Sequence, residues 1–70
     1  MFATISPEKI GENLKRLIKE SEYRTQGQFA KAVGKDIRTV RRWVGGGVEK
    51  LDTVYKIADV LDVDVKALLF

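Results

Sequence analysis

Apolar residues along this chain return at intervals of three and four and almost never alternate. Ile10, Leu14, Leu17 and Ile18 fall on one side of a helix, as do Phe29, Ala30 and Val33, and then Leu51, Val54, Ile57, Ala58 and Leu61. Polar caps mark where these helices begin. Ser6-Pro7 supplies an N-cap and a proline at the first helical position, so a first helix is expected from about 7 to 20. Thr25 with Gln28 three residues on fits a capping box for a second helix over 26–33, and Gly34 suits the left-handed residue that closes it. Asp36 can cap a third helix, expected to stop near Val44 where a triple glycine begins, its glycines taking positive φ. Asp64 caps a brief fifth helix, from Val65 to about Leu69. With no internal repeat and no period-two stretch of any length, the pattern predicts an all-α, compact five-helix domain over residues 1–70, with 1–6 as an N-terminal arm.

The third helix has an unusual outer side. Projected down a helix axis with Val40 pointing inward, Trp43 and Val44 fall close on either side of Val40, and Ile37 lies just beyond Val44. Arg38 and Arg42 fall almost opposite Val40, with Arg41 on one flank and Thr39 on the other. Val40, Trp43 and Val44 therefore face inward, and three arginines form an outward face. A charge run of this kind is commonly a solvated helix back. Two neighbours argue for more. The third helix begins two residues after Gly34, the spacing of a helix-turn-helix. Both helix starts also offer free backbone N–H groups and polar residues, Thr25-Gln26 and Lys35-Asp36, where a phosphate can dock.

Charge sharpens this picture. The net charge of the chain is +3, and residues 35–44 alone carry +3, against +2 for residues 1–34 and −2 for residues 45–70. A local basic patch attracts a polyanion even when the total charge is small.

The residue inventory narrows the chemistry. The chain has no cysteine and no histidine, which removes disulfides, imidazole bases and nearly all familiar zinc sites, so no cofactor or metal is expected. Asp59, Asp62 and Asp64 lack the spacing of a calcium loop and read as a solvated face and a cap. The glycines are not a nucleotide loop, since no Gly-Lys-Ser/Thr follows them. Seventy residues are expected to leave little room for a pocket of ~300 Å³ or more, so an enzyme is not expected. No apolar run approaches the ~20 residues that cross a bilayer, and "MFATISPEK" lacks the order of a signal peptide, which makes a cytoplasmic location the default.

"TQGQFAKAVGKDIRTVRRW", followed by glycines and then "LDTVYKIADVLDVDVKALL", resembles the phage-repressor-like (lambda repressor/Cro) helix-turn-helix family over about residues 10–69. Gln26, Phe29-Ala30, Gly34, Val40 and the closing "KIADVLDVDVKALL" carry most of the likeness. The resemblance implies a third helix lying in the DNA major groove and a second crossing the backbone above it. It places Ile37, Arg38 and Arg42 at base-facing sites, Arg41 near bases or phosphates, and Gln26 on a backbone phosphate. The chain departs from the family in three places. Lys35 stands where a buried aliphatic is usual, Gly27 occupies the first turn of helix two, and "GGGVEK" lacks the usual proline.

The expected function is sequence-specific binding of double-stranded DNA by a transcriptional regulator, a repressor. The alternative is a protein-interaction module, an antitoxin or a regulator's partner, using the same fold; a third reading is the reading head of a longer repressor. Arg38 and Arg42 can each fork onto guanine O6 and N7, while Arg41 suits a phosphate or an edge contact. Ile37 either packs or meets a thymine methyl, and Trp43 belongs to the core rather than to a stacking platform. Thr25, Gln26, Lys35, Thr39, Gly46 and Lys50 are the expected phosphate contacts, although Thr39 can equally bond back to its own helix. One such head reads few base pairs, so a homodimer on a two-part site is expected. Met1, Phe2 and Ile5, with Leu68, Leu69 and Phe70, are candidate dimer surface; Leu68 is assigned instead to the core.

Overall fold

The computed structural model describes residues 6–70; the candidate dimer residues Met1, Phe2 and Ile5 lie outside them. Five helices follow one another: α1 (Pro7–Glu20), α2 (Gln26–Val33), α3 (Ile37–Gly46), α4 (Leu51–Leu61) and α5 (Val65–Leu69), with no strand among the described residues.

The caps act as the sequence suggested, with one exception. Ser6 Oγ accepts from the Lys9 N–H, Asp36 from the Arg38 N–H and Asp64 from the Lys66 N–H. Thr25 Oγ1 accepts from the Gln28 N–H at 3.2 Å, but the reciprocal half of a capping box is missing, because the Thr25 N–H donates to the Tyr23 carbonyl at 2.7 Å. Gly34, at φ 75°, closes α2; its N–H reaches the Lys31 carbonyl and the Lys35 N–H reaches that of Ala30. Asp62 closes α4 by the same pair of bonds, at φ 57°.

α3 departs from expectation. It continues through Gly45 and Gly46 instead of stopping at Val44, and of the three glycines only Gly47 has positive φ, 102°. The reason lies in packing. A Cβ on Gly47 would sit 2.5 Å from the carbonyl of Pro7, and the Val48 N–H donates to that carbonyl at 3.3 Å. The chain leaves α3 only where it meets the first turn of α1.

α1 packs most extensively against α3. At their crossing a Cβ on Gly11 would lie 2.5 Å from the Trp43 carbonyl oxygen and 2.9 Å from that of Val44, so the two backbones touch. Leu14, Ile18, Phe29, Val40, Val54, Ile57 and Leu68 are fully buried, one or more from each helix, and each such side chain contributes about 1.5–3 kcal/mol by burial. Leu68 is thus core, as assigned, and Phe70 is exposed. Among the described residues, Asn13 is the buried polar side chain. Its amide donates to the Leu68 carbonyl at 2.7 Å and ties α1 to α5.

Candidate nucleic-acid interface

The inward and outward sides of α3 translate into a shape. Val40 is fully buried, and Ile37, Trp43 and Val44 are half-buried against the core, as the inward side requires. Arg38, Arg41 and Arg42 are exposed. Arg38 stands at the crest with its side chain 88% exposed, and its Nε lies 3.7 Å from Asp36 Oδ1. α3 is therefore a ridge, and a hollow lies on each side of it.

The first hollow, about 490 Å³, is lined by Lys15, Ile18 and Lys19 of α1, Arg24 and Thr25 of the turn, Gln26 and Gly27 of α2, and Ile37 and Arg41 of α3. The second, about 540 Å³, runs from Lys35 past Thr39, Arg42 and Gly46 to Glu49, Lys50 and Thr53. Space on this scale was not expected from the chain length. It arises as open grooves between helices and not as an interior cavity. Neither groove collects a group of three acidic, cysteine or histidine side chains that could hold a metal ion among the described residues.

The site residues sort cleanly. Thr25, Gln26, Ile37 and Arg41 share the first hollow; Lys35, Thr39, Arg42, Gly46 and Lys50 share the second; Arg38 crowns the ridge between them. Ile37 both packs on the core and reaches the first hollow, so its two expected roles are not exclusive. Thr39 lines the second hollow. Lys35 is exposed and lines the second hollow. Trp43 is half-buried and also lines the second hollow.

Sequence reasoning missed three cations of the first hollow: Lys15, Lys19 and Arg24. Lys15 and Lys19 are four apart on α1 and flank Ile18, so they share one edge of its buried stripe, a signal that a helical wheel of α1 would have given. Arg24 could not have been found that way, because its direction depends on a turn.

Comparison with family models, with curated proteins and with solved structures finds no match for this chain. The functional reading therefore rests on the geometry of α3 and its two flanking hollows. None of the described helices is long and apolar enough to cross a membrane.

Proposed function

We propose that this chain is a sequence-specific double-stranded DNA-binding protein, a transcriptional repressor in which α2 and α3 form a helix-turn-helix like that of phage repressors. The observation that carries the reading is a helical ridge topped by arginines and flanked on both sides by cation-lined hollows. A B-DNA major groove, about 12 Å wide and 8.5 Å deep, admits one helix and is bordered by two phosphate lines. The ridge suits the groove and each hollow suits one border. Two regular lines of phosphate charge are a constant feature of duplex DNA, which favours this reading over a protein-interaction module.

Arg38 and Arg42 are then the base readers, since they lie one turn apart on the exposed side of α3; each bidentate contact to guanine contributes roughly 1–3 kcal/mol of discrimination. Arg41 and Thr39 lie on opposite flanks and reach outward to the phosphate lines with Thr25, Gln26, Lys35, Gly46 and Lys50. A single ridge covers few base pairs, so two copies on half-sites about one helical turn apart supply the specificity of a regulator. Sedimentation of the protein on its site should show the two-to-one complex, and a monomer at high micromolar concentration on DNA would remove this element.

The experiment is an amide NMR titration of labelled protein with a DNA duplex at low salt. Shifts should gather at 25–28 and 36–47 and reverse with salt; with about four phosphates neutralised, log K should fall against log salt with a slope near −3.6. Arg42→Ala should lose discrimination at one base position, whereas Lys50→Ala should weaken all sequences alike. Equal losses on cognate and random duplexes for Arg42→Ala would refute base reading, and an absence of shifts would refute DNA binding.

A further inference from the structure

The hollow beside the α1–α2 turn holds more positive charge than its place in the proposed interface demands. Lys15, Lys19, Arg24 and Arg41 all line it, and no acidic residue does. Among the described residues the ion pair that forms is elsewhere, between Arg38 and Asp36. Four like charges around one hollow of about 490 Å³ repel one another, and an anion placed between them relieves that repulsion. The opposite hollow, by contrast, carries Glu49 alongside Lys35, Arg42 and Lys50.

The backbone beneath Arg24 points the same way. Arg24 has φ 66°, and the Thr25 N–H donates across it to the Tyr23 carbonyl at 2.7 Å. A three-residue turn with positive φ at its centre is the rare, strained form of γ-turn, in which glycine is at ease and a long side chain is not. Both neighbours are fixed. The Tyr23 hydroxyl donates to the Val60 carbonyl at 3.3 Å and its ring meets Phe29 edge-on at 6.0 Å, while Thr25 caps α2. An arginine held in this turn, with its cation on a hollow that already contains three others, fits a positioned anion contact.

We infer that this hollow is a seat for one backbone phosphate of the bound duplex, clamped by Lys15, Lys19 and Arg24, an inference that rests on the DNA-binding reading above. The clamp fixes how α3 lies along the groove, because it couples α1 and the α1–α2 turn to the phosphate line on the Arg41 side. It carries no base information and acts equally on all sequences.

The test uses Arg24→Gly and the double variant Lys15→Ala/Lys19→Ala, each titrated with the duplex over a range of salt. Arg24→Gly should keep or raise thermal stability, since glycine accepts the turn without strain, yet weaken duplex binding about three- to tenfold and lower the salt slope by about 0.9. The double variant, at two exposed sites, should fold normally and lower the slope without changing the preferred sequence. Unchanged affinity and slope in both variants, with wild type still binding, would overturn the clamp and leave the DNA reading intact. A wild type that binds no duplex would overturn both. Inorganic phosphate that shifted the same amides at the same phosphate concentration as the duplex would reassign the seat to a free anion and overturn the clamp.

Discussion

The two sides of α3 are built by different rules. Its inner side is held at the level of the backbone: Gly11 lets α1 touch the carbonyls of Trp43 and Val44, and Gly47 lets the following loop touch Pro7. Its outer side is held by almost nothing, since Arg41 and Arg42 form no ion pair among the described residues and Arg38 meets Asp36 only at an exposed 3.7 Å. An exposed pair of that kind contributes about 0–1 kcal/mol. The fold therefore does not need the arginines, and the interface is free of the fold's constraints. Stability and binding should separate on mutation, and each side can be tested without the other.

The largest effect is expected at the helix crossing. In Gly11→Ala the new Cβ would meet the Trp43 carbonyl oxygen at 2.5 Å. That atom is backbone and cannot swing aside, so α1 and α3 must separate and disturb every layer of the core between them. A loss of about 3 kcal/mol or more is expected, a large share of what a domain of this size possesses. Urea unfolding measures it. A loss below about 1 kcal/mol would show that the crossing can spread, and the backbone-level description of the inner side would fall.

Gly47 and Gly45 divide along the same line. Gly47→Ala combines left-handed φ with a Cβ 2.5 Å from Pro7 and should cost about 2 kcal/mol. Gly45→Ala should act in reverse. Gly45 is helical, exposed and faces open space, so alanine should stabilise by roughly 0.5–1 kcal/mol. Similar losses for both variants in thermal unfolding would mean that α3 does end at Val44.

That division also shows what was legible in the sequence. Helix starts were readable because a cap is a local event: Ser6, Thr25, Asp36 and Asp64 each bond a backbone N–H two or three residues ahead. The end of α3 was not, because glycine is compatible with stopping a helix and with continuing it, and the choice is made by Pro7, forty residues away in sequence. The candidate site followed the same logic. The outward side of α3 followed from helical periodicity and the start of α2 from its cap, while the resemblance supplied the roles expected of Ile37, Arg38, Arg42 and Gln26. Lys15 and Lys19 were passed over because exposed lysines on a first helix look like solvated surface until the helix is docked beside the start of α2. Arg24 needed the turn itself, whose strained φ no spacing rule encodes.

The smallest effect concerns the turn on which Gly47 lands. The Ser6 hydroxyl donates to Glu8 Oε1 at 2.7 Å and accepts from the Lys9 N–H at 3.3 Å, so cap and carboxylate support each other at the first turn of α1. The hydrogen bond from Ser6 holds the Glu8 carboxyl below its ordinary value of 4.5. A carboxylate lowered in the folded state adds stability that is fully present above the ordinary value and is lost as pH falls through the lowered one. Thermal stability should therefore slip slightly more in wild type than in Glu8→Gln as the pH drops below about 4.5, because the variant has no charge to lose there. Glu8 is fully exposed, so the difference should be small and should shrink further with salt. Parallel profiles for the two proteins through that range would mean that the Ser6–Glu8 bond does not persist in solution. The first turn of α1 would then be held by the Ser6 cap on the Lys9 N–H and, from the inner side, by the Val48 N–H on the Pro7 carbonyl.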